Sequence, residues 1–243
     1  LFMKIKFDYS PNFSPKTRHR KDIKFVIIHY TGMQSEIESI NRLKNPKFKV
    51  SCHYLINRQG KIIQMVKDKN IAWHAGKSRW KKYFNLNKNS IGIELVNKGH
   101  KYGYQSYQKR QIKSLIRLCK SLKKKYSIKK ENFLGHSDIS PHRKIDPGEK
   151  FPWELLAKNK IGIWHDYNFL FLIKFRKIKI SKKNDKLKFI KHLRKIGYCF
   201  SAKKESHTVK VIKAFQRHYR KELINGIIDK ECLLIAENLS KKL

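Results

Sequence analysis

The stretch "KFVIIHY" (residues 24–30) predicts the core of the fold. It is apolar and rich in β-branched residues, which is typical of a buried strand, and it ends beside His29. A second strand is predicted for "SIGIELVN" (90–97). The segment "SCHYLINRQGKIIQMV" (51–66) predicts a hairpin that turns at Arg58-Gln59-Gly60, because glycine supplies the positive φ that such turns need.

Helical patterns alternate with these strands. "SEIESINRLK" (35–44) predicts a helix with Ser35 as its N-cap. "QKRQIKSLIRLCKSLKKKY" (108–126) carries apolar residues at i, i+3, i+4 and i+7, which predicts a longer amphipathic helix. Strands mixed with helices in this way indicate a layered α/β fold.

The C-terminal part has a different pattern. Three short amphipathic segments, at 185–198, 207–220 and 229–239, predict a small three-helix bundle. An aromatic and Lys-rich stretch precedes them. We therefore predict a first domain at 1–164, a linker at 165–184 and a helical domain at 185–243.

The chain is strongly basic, with 58 Lys and Arg against 18 Asp and Glu and a formal net charge of +40. Such a surface attracts polyanions, whether nucleic acid, an anionic polymer or a membrane surface, or it is simply a Lys-rich solvated surface. No nucleic-acid-binding motif is evident, so specific nucleic-acid binding is not expected. The longest apolar run, "YNFLFLIKF" (167–175), is too short to span a bilayer.

Candidate metal ligands lie on "GHSDISPHRKIDPGEKFPW" (135–153). Its sparse apolar content and its prolines predict a loop. His136 and Asp146 on this loop, together with His29, would supply two imidazoles and one carboxylate, the three protein ligands typical of a catalytic zinc site. Each residue alone also fits a structural role, because strand-end histidines are often hydrogen-bonded and Asp before Pro-Gly often serves a turn.

Two further residues could carry chemistry. Glu94 lies between Ile93 and Leu95 in a predicted strand, where a carboxylate is unfavourable unless it is paired or hydrogen-bonded. If its face opens onto the metal, Glu94 would act as a general base, and otherwise it would form a simple salt bridge. Lys144 lies between two candidate ligands and could stabilise an oxyanion, or it could be one more solvated lysine.

Five segments together resemble a known family. In chain order they are "FVIIHYT", "SCHYLINRQGKIIQMV", "AWHAGKSRW", "NSIGIELVN" and "GHSDISPHRKIDPGEKFPW". They are similar to the signatures of type-2 N-acetylmuramoyl-L-alanine amidases. The resemblance implies a central mixed β-sheet flanked by helices. It also implies zinc-dependent hydrolysis of the amide between N-acetylmuramic acid, or its anhydro form, and L-alanine in peptidoglycan or muropeptides, for cell-wall turnover.

The resemblance also assigns roles to residues. The family's three ligands to its single Zn²⁺ fall on His29, His136 and Asp146. Its catalytic acid falls on Glu94, and its catalytic lysine falls on Lys144. All five lie within residues 24–153. The helical bundle is therefore expected to be dispensable for cleavage of soluble muropeptides.

Two weaker resemblances concern the substrate cleft and a domain that binds the cell wall. His74 in "AWHAG" resembles a residue that lines the substrate cleft. The C-terminal segments resemble a three-helix peptidoglycan-binding domain, but "CFSAKKES" (199–206) replaces the Gly-rich loop between its first two helices. Binding of glycan by this domain is therefore left open.

Several alternatives stay open at this point. The same fold could serve as a non-catalytic peptidoglycan recognition module, although such modules usually lack a ligand or the base. The expected location is the bacterial cell envelope, periplasm or outer membrane, if an export signal is missing from this chain, and the cytoplasm otherwise. The preference for intact sacculi or anhydro-muropeptides, the stem peptide and the oligomeric state are not predicted.

Overall fold

The computed structural model describes residues 4–180, 182–200 and 205–243. Residues 201–204 of the "CFSAKKES" stretch therefore lie outside the described residues. The strands are β1 (Ile5–Phe7), β2 (Phe13–Thr17), β3 (Phe25–Tyr30), β4 (Tyr54–Ile56), β5 (Ile62–Gln64), β6 (Asn70–Ala72), β7 (Arg79–Trp80), β8 (Tyr83–Phe84), β9 (Ser90–Leu95) and β10 (Phe133–Gly135). The α-helices are α1 (Glu36–Lys44), α2 (Lys109–Tyr126), α3 (His136–Ile139), α4 (Trp153–Lys158), α5 (Phe169–Ile173), α6 (Lys183–Ile196), α7 (Glu205–Tyr219) and α8 (Lys230–Lys241).

The main sheet has six strands in the order β1-β5-β4-β9-β3-β10. The hairpin pair β4 and β5 is antiparallel, and the other neighbours run parallel. Short antiparallel pairs, β2 with β6 and β7 with β8, lie outside it. The expected central mixed sheet flanked by helices is confirmed.

A helix cap and a hairpin turn predicted from the sequence are both present in the structure. The side chain of Ser35 accepts a hydrogen bond from the backbone N–H of Glu38 at 3.1 Å and so caps α1. The predicted hairpin turns with Gly60 at a φ of 84°. The sequence pattern thus specified these elements, although the hairpin strands are shorter than predicted.

Each face of the sheet has its own helical layer, because strand alternation sends successive side chains to opposite faces. Val26 and Ile28 of β3 belong to one buried cluster that includes the apolar side of α2. The α2 residues in that cluster are Ile112, Leu115, Leu118, Cys119 and Leu122. The apolar side of α2 therefore packs on this face of the sheet, which accounts for its amphipathic pattern.

The opposite face contributes to a second buried cluster, which also contains residues of the C-terminal bundle of α6, α7 and α8. Phe25 and Ile27 of β3 belong to one continuous buried cluster with bundle residues. The bundle residues in that cluster include Phe189, Leu193, Val211, Phe215, Ile235 and Leu239. The sheet and the bundle therefore share a core.

The stretch predicted as a linker is structured in part. It contains α5, and Leu172 of that helix is buried in the core that the sheet and the bundle share. Arg176 donates to the buried Glu231 of α8 at 2.7 and 2.8 Å, which ties the stretch to the bundle. The domain boundaries at 164 and 184 stay a prediction.

Candidate metal centre

The candidate ligands meet at the carboxyl ends of parallel strands, which is where open α/β sheets usually place their sites. His29 is the penultimate residue of β3, and His136 follows directly after β10. Glu94 in β9 is the cross-strand partner of His29, so the two side chains share a face. This is the same face whose residues share a buried cluster with the bundle.

The prediction of a loop at 135–153 is wrong for its first residues, because His136–Ile139 form the one-turn helix α3. The carboxylate of Asp138 accepts the backbone N–H of Gly135 at 2.7 Å, and the carbonyl of His136 accepts the N–H of Ser140 at 2.9 Å. A side-chain cap of this kind produces a helical turn without any apolar periodicity.

Three donor atoms converge on one point. His29 Nδ1 lies 3.0 Å from His136 Nδ1 and 3.0 Å from Asp146 Oδ2, and His136 Nδ1 lies 3.1 Å from the same carboxylate oxygen. Ligands about 2.0–2.1 Å from a tetrahedral zinc are about 3.3 Å apart from one another. The triangle therefore has the size that a zinc site requires, and all three residues are buried.

The outer nitrogen of His136 has two polar neighbours. Its Nε2 lies 3.2 Å from the carbonyl oxygen of Ala75, which accepts, and 3.2 Å from Nη2 of Arg143, which donates. When Nδ1 binds a metal, Nε2 carries the proton and donates to Ala75, and the lone pair of Nδ1 faces the point where Asp146 also directs its oxygen. A buried convergence of lone pairs and negative charge suits a cation.

Burial and proximity shift the ionisation of the ligands. Burial lowers the pKa of His29 to about 4, with a further contribution from His136, so this imidazole is neutral at pH 7 as a metal ligand must be. Burial alone would raise the pKa of Asp146, but the two imidazoles hold it well below its usual range. His29 is thus a neutral ligand and Asp146 an anionic one.

His74 lies behind His29. Its Nδ1 is 3.1 Å from His29 Nε2, and its Nε2 is 3.2 Å from the hydroxyl of Ser90, which itself donates to the carbonyl of Leu86. With Nδ1 of His29 directed at a metal, its Nε2–H donates to His74, and each later group donates in turn. His74 is buried and orients a candidate ligand, and its contact with substrate stays a prediction.

Glu94 is buried, and its Oε2 has no hydrogen-bond partner among the described residues. Burial, assisted by the charge of Asp146, raises the pKa of Glu94 to about 8, and the ammonium of Lys144 opposes this shift. An unpaired carboxyl group that titrates near neutrality can both accept and return a proton. Glu94 forms no salt bridge with any described residue, so a simple ion pair does not explain its position.

Lys144 lies on the same loop as the ligands and is half-buried. Its backbone N–H donates to the carbonyl of Ser140 at 3.0 Å, which holds the loop in a tight turn after α3. Its positive charge lowers the pKa of both Glu94 and His29, and the same charge would favour negative charge that develops at the site.

The sequence analysis missed one buried network beside the site. Asp138, two residues after His136, also accepts hydrogen bonds from Tyr198 and His218 of the C-terminal part. The only sequence signal was an acidic residue inside "GHSDIS", and nothing in the pattern linked it to residues 60 and 80 positions away.

A family model described as N-acetylmuramoyl-L-alanine amidase matches residues 19–149, just over half of the chain and all five candidate site residues. The chain belongs to the N-acetylmuramoyl-L-alanine amidase family. Among curated amidases it is 37% identical to N-acetylmuramoyl-L-alanine amidase AmiD of Escherichia coli, over 90% of this chain and 83% of that protein. It is 36% identical to 1,6-anhydro-N-acetylmuramyl-L-alanine amidase AmpD of Haemophilus influenzae, over 60% of this chain and 86% of that protein.

Solved amidase structures agree in fold over nearly the whole chain. The complex of Escherichia coli AmiD with anhydro-N-acetylmuramic acid-L-Ala-D-γ-Glu-L-Lys has a TM-score of 0.80 at 35% identity, covering 94% of this chain and 92% of that one. AmpDh3 of Pseudomonas aeruginosa has a TM-score of 0.80 at 30% identity, covering 97% of both chains. Both likenesses include the bundle as well as the amidase part. Within the described ranges, no helix is long and apolar enough to cross a membrane.

Proposed function

We propose that the chain is a zinc-dependent N-acetylmuramoyl-L-alanine amidase. Its reaction would be hydrolysis of the amide between N-acetylmuramic acid, or the 1,6-anhydro form, and the L-alanine of the stem peptide. The convergence of two imidazole nitrogens and one carboxylate oxygen within 3.1 Å of one another carries the proposal. The unpaired Glu94 on the neighbouring strand supports it.

The candidate site residues have different roles in the proposed reaction. His29, His136 and Asp146 would hold zinc, which when bound supplies Lewis acidity and lowers the pKa of water. Glu94 takes the proton of the attacking water and later delivers it to the nitrogen that leaves with L-alanine. The ammonium of Lys144 stabilises the negative charge that develops on the carbonyl oxygen.

Soluble anhydro-muropeptides are the substrate class that we propose. The Escherichia coli relative is described in complex with an anhydro-N-acetylmuramyl tripeptide, and the Pseudomonas aeruginosa relative with anhydromuramic pentapeptide. Both relatives match this chain over more than nine tenths of its length. Peptidoglycan itself carries the same amide bond and is the second substrate to test.

The test incubates purified protein with an anhydro-muramyl tripeptide and with purified sacculi, and identifies the products by mass spectrometry. A free tripeptide and a free anhydro-sugar are expected. A chelator should abolish the reaction, and added zinc should restore it. Binding of muropeptide without any cleavage by the zinc-loaded protein would instead favour a recognition module.

Asp146→Asn and Asp68→Asn form a matched pair of variants. Both remove a buried charge, but Asp68 is bonded to Tyr54, Lys125 and Tyr126 instead of a candidate ligand. The Asp146 variant should lose zinc and activity. The Asp68 variant should retain both, at reduced stability.

A further inference from the structure

The carboxylate of Asp138 is shared between the metal-ligand loop and the C-terminal bundle. Its Oδ2 accepts the backbone N–H of Gly135 and Nδ1–H of His218, both at 2.7 Å, and its Oδ1 accepts the hydroxyl of Tyr198 at 2.6 Å. Asp138 is 2% exposed, Tyr198 1% and His218 4%. Two of the three donors to this buried carboxylate therefore come from residues beyond 184.

Asp138 is connected to two of the candidate zinc ligands. It caps the single turn of α3, which begins with His136. The next residue, Ser137, donates its backbone N–H to the carbonyl of Asp146 at 2.9 Å. A shift of this turn would therefore displace His136 and Asp146 together.

Close packing also holds the segment around α3 in place. The ring of His218 stacks on Trp153 with centroids 3.9 Å apart and planes 14° apart. A Cβ added to Gly135 would lie 2.8 Å from Cδ of Pro147 and 3.2 Å from Cζ2 of Trp153, so the start of α3 has no free space on that side. The turn is fixed by hydrogen bonds on one side and by close packing on the other.

We infer that Tyr198 and His218 are positioning residues of the amidase: through Asp138 they fix the turn that places His136 and Asp146. The bundle is thus a part of the metal-binding unit. This inference rests on the proposed zinc site but assigns it two residues that lie outside the matched amidase region, residues 19–149.

The physical reason is that a buried carboxylate must keep its donors. Without the Tyr198 hydroxyl, Oδ1 of Asp138 loses its donor in a place closed to water, and the carboxylate must rotate or the turn must open. Either movement alters the angle at which His136 presents Nδ1. Loss of groups that orient metal ligands typically weakens metal affinity or activity by about 10–100-fold.

Tyr198→Phe in the full-length protein is the test, with Tyr54→Phe as its control. Tyr54 is also buried, and it also donates a hydroxyl to a buried carboxylate, Asp68, at 2.7 Å. Both variants should lose stability. Only Tyr198→Phe should weaken zinc affinity, measured by chelator competition, and lower kcat, each by about 10-fold or more with little change in KM.

A second pair of variants separates loss of the hydrogen bond to Asp138 from loss of folding. His218→Leu removes the donor to Asp138, whereas His218→Gln retains an N–H that can reach it, so Gln should recover part of the zinc affinity that Leu loses. Equal zinc affinity and kcat in Tyr198→Phe and Tyr54→Phe, with no advantage of Gln over Leu, would overturn the inference. A wild-type protein that binds zinc but cleaves no muropeptide would contradict the proposed function alone, because zinc affinity still tests Tyr198 and His218.

Discussion

Two buried carboxyl groups of the site are held in opposite ionisation states. Glu94 is 9% exposed and Asp146 is 6% exposed, so burial acts on both. Asp146 touches two imidazoles, which keep its pKa well below the usual range, whereas Oε2 of Glu94 has no partner among the described residues and burial raises the pKa of Glu94 to about 8. Carboxyl groups whose environments separate their pKa values in this way usually divide the roles of ligand and acid–base catalyst.

Replacing Glu94 by Gln should separate catalysis from metal binding. The amide keeps the size of the side chain but cannot take the proton of water. Zinc content should stay at one per chain, while kcat falls by about 10²–10⁴-fold. Metal analysis and steady-state kinetics on the same preparation check this, and near-normal kcat would refute the role of Glu94.

The wild-type rate should also depend on Glu94 ionisation. Because the base must be deprotonated, kcat/KM should fall as the pH drops below its pKa. Bound zinc favours the charged carboxylate, so the kinetic pKa of the loaded enzyme should lie below about 8. A pH profile from 5 to 9 provides the measurement, and an acidic limb that persists unchanged in Glu94→Gln would assign the titration to another group.

Glu94 should make the metal-free protein less stable at high pH. Its folded pKa of about 8 lies above its ordinary value of 4.5, so the folded state keeps a proton that the unfolded state releases. This contribution to stability is complete below about pH 4.5 and is lost as the pH rises through 8. The difference is about 5 kcal/mol at most, at about 1.4 kcal/mol per pKa unit.

The comparison of wild type with Glu94→Gln isolates that contribution. Buried His29, with its lowered pKa of about 4, acts in the opposite sense, because its stabilisation is lost as the pH falls. Urea unfolding at pH 5 and pH 9 should show wild type losing more stability than the Gln variant. Parallel changes in the two proteins would mean that Glu94 is already ionised at pH 5.

At the scale of single elements, β9 supports the site because its residue Gly92 has no side chain. A Cβ at Gly92 would lie 2.4 Å from Cγ of His74, so only glycine lets the imidazole lie against the strand. His74 in turn contacts Nε2 of His29. The small residue in "SIGIELVN" therefore controls the orientation of a candidate ligand through one intervening ring.

Gly92→Ala should displace His74 and weaken zinc affinity by about 10-fold or more. The double variant Gly92→Ala/His74→Ala removes the ring with which the new methyl group collides. It should bind zinc no worse than His74→Ala alone, because contacting residues are not additive. Additive losses measured by chelator competition would show that Gly92 acts by another route.

The elements differ in how far the sequence predicted them. Strand β3, the hairpin and α2 follow from apolar periodicity and turn residues, which are local signals. Helix α3 was missed because its turn is stabilised by the Asp138 carboxylate and by distant Tyr198 and His218. The site residues were identified by resemblance, whereas the position of His74 behind His29 depends on tertiary packing.

At the scale of the whole molecule, the core that the sheet and the bundle share changes the expected effect of removing the bundle. All five candidate site residues lie before 154, which suggested that the bundle is dispensable. However, Phe25, Ile27 and Leu134 of the sheet are buried in the cluster that bundle residues complete. Removing residues 185–243 would expose the residues of this cluster that pack against the bundle.

A chain truncated after residue 184 should therefore fail to fold cooperatively and should lose activity on soluble muropeptides as well as on sacculi. Circular dichroism and urea unfolding would report folding, and product release would report activity. A matched full-length variant, Phe215→Ala, should lose about 3–5 kcal/mol of stability through the cavity it creates. A truncated protein with cooperative unfolding and normal kcat/KM would show that the bundle is a separable appendage.

The dependence of α3 on Tyr198 and His218 also has a consequence for biosynthesis. Chains are made from the N-terminus, so β3, β9 and β10 leave the ribosome well before α7 does. Until Tyr198 emerges, Asp138 lacks two of its three donors, and until His218 emerges it lacks one. A nascent chain that stops short of residue 218 thus holds every candidate catalytic residue without all of the hydrogen bonds that fix α3, so the site is expected to take its final geometry only after His218 has been made.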